Sequence, residues 1–192
     1  RQRLETLPDR FEGYDVTTAP DGDTSPLPRA DTVPELRFHR GDKGQAAALM
    51  AWPTAGGLNK IKEGRALDIV SAIMADRLFD RLRAADGASY GPFSDSHFPT
   101  AFTRGGYIMV GSLLAPGDVD RFLVAAREIA ADLVANPVSD DELARAVGPL
   151  REQIARASTG NMFWMMQLEG ATRDPRIARA ALTLETEMGA IT

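Results

Sequence analysis

The chain has 192 residues, 44 % of them hydrophobic and 26 % charged, with a formal net charge of −5 and no cysteine. That size and apolar content suit one core-forming domain. The acidic balance argues against a nucleic-acid partner, which would need a basic face to release counterions from phosphate. Without cysteine, disulfide scaffolds and thiolate zinc sites are excluded, a usage compatible with cytoplasm or periplasm alike.

Residues 1–34 are rich in proline, aspartate and threonine and carry no periodicity. Dense turn formers read as an interdomain linker or a surface-crossing arm, with Phe11, Tyr14 and Val16 as apolar anchors. The compact domain is expected over 35–192. "ELRFHR" (35–40) alternates, "GDKG" follows as a turn, and "QAAALMAWP" (45–53) reads as a buried strand. Together they predict a hairpin. "TAGGLNK" (54–60) lacks phosphate-loop spacing and reads as a flexible turn.

Over 60–83 the apolar residues Leu67, Val70, Met74, Leu78 and Leu82 recur every three or four positions. The spacing predicts a core-facing helix, with Asn59 as N-cap and Gly87 as stop. Two strands follow at 88–97 and 104–113. The second, inside "GGYIMVGSLLAP", is apolar enough to lie centrally in a sheet. Its apolar run falls far short of the roughly 20 residues a membrane helix needs. Pro116-Gly117-Asp118 closes it and caps a helix at 118–135.

Ser139 with Glu142 is a capping box that opens a further helix and explains the Asp140-Asp141-Glu142 cluster without a metal. Pro149 should kink that helix or start a new turn. Two more helical segments follow, "STGNMFWMMQLEGATRDP" and "RIARAALTLETEMGAIT". The order predicts an α+β fold with a mostly antiparallel sheet covered on one face by helices.

Chemistry is thinly signalled. The two histidines, His39 and His97, sit in different segments, and no H-x-x-E-H or its reverse occurs. His97 with Asp95 and Asp86 makes a poor metal set; a surface histidine is the plainer reading. Ser89 and Ser94 lie near His97 without a nucleophile elbow. Arg83 and Tyr90 remain. A guanidinium can grip a carbonyl or carboxylate, and a phenol can donate to an oxyanion. Equally, Arg83 could pair with Asp80 or cap its helix, and Tyr90 could simply pack.

"LFDRLRAADGASYGPFSDS" (78–96) resembles the L-R-x-x-x-G-x-x-Y segment of pitrilysin/insulinase-type (M16) zinc metallopeptidases, in the half without the zinc site. "GQAAALMAWP" resembles the strand opening such a domain. "PVSDDELARAVGPLREQIARASTGNMFWMMQL" resembles its helical hairpin, with the N-x-x-W turn of periplasmic bacterial members. "LETLPDR" resembles an interdomain linker.

The resemblance implies a clamshell of two halves. Zinc is expected in the partner domain and no cofactor in this chain. Arg83 would bind the substrate backbone and Tyr90 would stabilise the polarised carbonyl. The implied partners are the zinc-bearing half, on the same chain or another, and a peptide or unfolded protein. The implied location is the periplasm, with no membrane insertion. Since the zinc motif is missing and the chain runs from an arginine to "EMGAIT", a piece of a longer peptidase is expected, not hydrolytic alone. The rival expectation is an inactive scaffold or assembly module.

Overall fold

The structure is a computed structural model describing residues 35–38, 40–86 and 91–191, with the side chains of 83–86 outside the description. Three strands form one antiparallel sheet: β1 (Ala46–Ala55), β2 (Phe93–His97) and β3 (Arg104–Leu114), in the order β1-β3-β2. The helices are α1 (Ile61–Asp86), α2 (Val119–Ala135), α3 (Asp140–Ala157), α4 (Asn161–Gln167) and α5 (Pro175–Gly189). The expected α+β architecture is present, and the apolar β3 is central.

The predicted hairpin is not. Residues 35–38 are irregular, and Leu36 and Phe38 stand 72 % and 90 % exposed. β1 pairs instead with β3, from Ala46 opposite Leu114 to Thr54 opposite Gly106, before the register shifts at Ala55. Nine residues of continuous pairing that also bury Ala48 outweigh a short local segment whose Leu36 and Phe38 are exposed.

Period-two alternation splits each strand between two environments. Ala48, Ile108, Val110 and Leu114 face the helices and join Met74, Leu78 and Leu82 of α1 and Phe122, Ala126 and Ile129 of α2 in the main core. A second core forms away from the sheet, where Ile69 and Ile73 of α1 meet Ala146 of α3 and Met188 of α5. α1 is long enough to serve both, with residues of its first half turned to α3 and α5 and residues of its second half to the sheet.

Local predictions divide on tertiary competition. Asn59 does not cap α1. It lies in a 3-10 turn, Leu58–Lys60, and its Oδ1 accepts from Arg176 Nη1 at 3.0 Å. "TAGGLNK" is no flexible turn: Gly56 N donates to Thr103 O at 3.0 Å and Gly57 N to Pro99 O at 2.7 Å. Gly57 holds a φ of 94°, a conformation that favours glycine. Asp118 sits at the start of α2 but pairs with Arg121 at 3.1 Å rather than capping.

Ser139 Oγ accepts from Glu142 N at 3.3 Å, one half of the capping box. The Glu142 carboxylate goes elsewhere, to Arg77. α3 runs through Pro149 without ending there. The preceding residue is Gly148, which has no Cβ to meet the proline ring.

Candidate functional site

Arg83 lies in the last turns of α1, while its side chain and Tyr90 fall outside the described residues, as do His39, Ser89 and the Asp86 side chain. β2 begins at Phe93, three residues after Tyr90.

Among the described residues no helix covers the face of the sheet opposite the main core. In register across it stand Leu49, Gly111 and Phe93, then Ala51, Met109 and Asp95, then Pro53, Tyr107 and His97. Leu49 is 59 % and Phe93 46 % exposed, and Leu113 on β3 is exposed as well. Leu49 and Phe93 close over the central glycine. A Cβ at Gly111 would come within 2.5 Å of Leu49 Cδ2 and 2.4 Å of Phe93 Cζ. Glycine is therefore needed for these two side chains to lean together. At the other end of β2 the His97 and Tyr107 rings lie 5.4 Å apart, tilted by 30°, and Tyr107 Oη donates to Asp95 Oδ2 at 3.4 Å.

The residues of β2 that point the other way meet α1. Ser94 Oγ lies 2.7 Å from Ser71 Oγ and donates to Met109 O at 3.1 Å. Ser96 donates to Asp68. Ser94 and His97 thus emerge on opposite faces of one strand, which rules out a nucleophile–base pair between them. Beyond β2 an open cleft of about 1580 Å³ runs between the strand and α4 and α5, with Arg65, Asp68, Ser96, Phe98 and Met166 among its walls.

Burial raises the Asp68 carboxyl above the usual aspartate range, and the nearby Asp95 charge adds to this. Arg65, 4 % exposed, binds Glu187 and donates to Ala180 O at 2.5 Å. Burial lowers its pKa. These groups join α1 to β2 and to α5. Sequence reading missed them, although Arg65, Asp68 and Ser71 recur every three residues within an otherwise apolar stretch. It missed the Leu49–Gly111–Phe93 row as well, because register is not written in either strand alone.

Among the described residues no group of three or more His, Cys, Asp or Glu side chains could hold a metal ion. His97 has Asp95 on its own face, and the two do not make a ligand set. The described surface presents the exposed apolar pair Leu49 and Phe93 beside the exposed carboxylate of Asp95 and the His97 and Tyr107 rings.

The described residues thus form an antiparallel sheet backed by helices on one face, with no metal-binding group among them. The model of the M16 peptidase inactive domain matches residues 4–150, and the chain belongs to that family. A conserved protein from Enterococcus faecalis has a similar structure, with a TM-score of 0.64 at 16 % identity, over 77 % of this chain and 34 % of that one.

The inactive peptidase domain of a candidate zinc protease from Bordetella parapertussis aligns with a TM-score of 0.57 at 24 % identity, over 77 % of this chain and 79 % of that one. The periplasmic protease PqqL from Escherichia coli aligns with a TM-score of 0.58 at 15 % identity, over 77 % of this chain and 16 % of that one. The chain thus spans about a third of the Enterococcus protein and a smaller part of PqqL. No curated protein matches it.

Proposed function

We propose that the chain is the zinc-free wall of a two-half M16 metalloendopeptidase, closing a chamber over a peptide or unfolded protein while a zinc-bearing half supplies the metal. The observation that carries this is the bare sheet face, where Leu49, Phe93 and Leu113 stand exposed instead of the polar side chains that ordinarily meet water. Membership of the inactive-domain family supports it. In this reading residues 1–34 form the arm from the preceding domain and 35–192 the wall.

Arg83 would bind the substrate backbone through several donors, and Tyr90 would stabilise the oxyanion that develops at the scissile carbonyl. Their place in the chain supports these roles, since Tyr90 stands three residues before Phe93, the first residue of β2. The described residues offer no metal set, so the metal-bound water would come from the partner half. The periplasm is the proposed location, supported by the likeness to a periplasmic protease.

The test uses the zinc-bearing half together with this chain, or the full polypeptide if both lie on it. Arg83→Ala and Tyr90→Phe should each lower kcat/KM on an unfolded peptide by about 10- to 1000-fold, with folding unchanged. Full activity in both variants would sink the catalytic roles and favour an assembly subunit. Cell fractionation checks the location, and recovery of the full-length protein in the cytoplasm would contradict it.

A further inference from the structure

The segment "NMFWMMQ" forms α4 and holds three of the chain's seven methionines. Met162, Met165 and Met166 stand at i, i+3 and i+4, so they share an arc of about 100° on one helix face. All three are exposed, at 66 %, 68 % and 69 %. The other four methionines are placed differently. Met74 and Met188 are buried in the two cores, and Met50 and Met109 are half-buried in the sheet.

The rest of α4 is what fastens it. Phe163 and Trp164 are half-buried, with their rings edge to face at 5.2 Å. Trp164 Nε1 donates to Ser158 O at 2.8 Å, which ties the helix back to the end of α3. The three thioethers therefore project from an anchored element rather than from a loop.

We propose that Met162, Met165 and Met166 form a binding site for a soft monovalent cation of the Cu(I) and Ag(I) class. Neutral thioether sulfur selects such ions, whereas zinc and the harder divalent metals take imidazole and carboxylate. Side chains at this spacing start about 5–6 Å apart at Cβ, and each methionine turns about three further bonds, so the three sulfurs can converge on one ion. A face that needed only apolar area would be served as well by leucine, whose rotamers are better defined. The chain offers a soft ion no stronger cluster. It has no cysteine and two histidines, and among the described residues no group of three His, Cys, Asp or Glu side chains gathers elsewhere. The proposal stands apart from the chamber-wall reading and does not depend on it.

The test titrates Ag(I), a redox-silent probe, into the 192-residue chain in chloride-free buffer, followed by calorimetry and by the spectrum of methyl-labelled methionines. About one equivalent should bind, and the signals of Met162, Met165 and Met166 should shift while the other four stay in place. Zn(II) should bind far more weakly. Leucine keeps the volume and helix preference of methionine and removes the sulfur. Met162→Leu, Met165→Leu and Met166→Leu should each weaken binding by about tenfold, and the triple change should abolish it. Met50→Leu should leave it unchanged. Circular dichroism checks the fold of each variant.

Uptake only in large excess, without saturation, marks an adventitious ion only and overturns the proposal. Equal binding by the triple leucine variant places the ion elsewhere and overturns it too. Zinc bound as tightly as silver, and lost in the triple variant, overturns the selectivity for soft ions. Self-association that the triple leucine variant retains, in a parent chain that takes up no silver, assigns the face to a second copy instead.

Discussion

At the scale of single residues, the groups with the most leverage are polar and buried. Asp68 lies between Ser96 and Arg65 in a partly closed site that raises its pKa, chiefly through loss of hydration. The folded protein holds that proton more tightly than the unfolded chain. Its stabilising effect is fully present below the ordinary aspartate value of about 3.9 and fades as pH rises through the folded value. Asp68→Asn keeps an acceptor for Ser96 and removes the charge. The variant should melt higher than the parent at pH 8, and the advantage should vanish by pH 3.5, as thermal unfolding at the two pH values would reveal.

Glu142 behaves oppositely. The Arg77 fork, with Nε to Oε1 at 2.6 Å and Nη2 to Oε2 at 2.8 Å, holds its carboxyl below the usual range. This contribution is present above about pH 4.3 and is lost as pH falls through the depressed value. Arg77 also reaches Asp132 at 2.6 Å, so one side chain clamps α1 to both α2 and α3. Arg77→Ala should cost about 1–3 kcal/mol in urea unfolding at pH 7. The difference from the parent should shrink in acid. A gap that stays constant down to pH 3 would contradict this account.

At the scale of elements, α1 explains why the molecule has two cores and one sheet. Its Met74, Leu78 and Leu82 meet β3 and α2, while Ile69 and Ile73 meet α3 and α5. Phe122 on α2 is fully buried at the centre of the first core. Phe122→Ala should destabilise by about 3–5 kcal/mol, read from the denaturation midpoint. The second core depends on Arg65, whose ion pair with Glu187 and bond to Ala180 O anchor α5 to α1. Arg65→Ala leaves Glu187 without its cation and should cost about 3 kcal/mol. Hydrogen exchange should rise most in α5, the helix released. Uniform exchange across the molecule would argue against such a local anchor.

At the scale of the whole molecule, two boundaries matter: where the proposed wall begins and which side of it would face substrate. Among the described residues, none of either core precedes Ala48. On the proposed reading of residues 1–34 as an arm, their removal should leave the thermal midpoint of 35–192 within a degree or two of the parent, as calorimetry would show. A large fall would place the arm inside the folded unit. Helices occupy the other face of the sheet, which leaves the bare side to the partner half and peptide proposed above.

Much of this was legible in the chain itself. The spacing of Met74, Leu78 and Leu82 announced α1, the apolar run at 107–114 announced a central strand, and Ser139 announced the start of α3. Those features depend on neighbours within a few residues, where periodicity and capping chemistry act directly. The segment around Arg83 and Tyr90 likewise carried the family resemblance without any structure.

Tertiary structure alone decided that β1 pairs with β3 instead of with 35–40, that Leu49 and Phe93 meet over Gly111, and that Glu142 turns to Arg77 in place of its capping partner. Each of these joins residues tens of positions apart. Their pairing rests on register and on competition for burial across the whole fold, which local sequence does not encode.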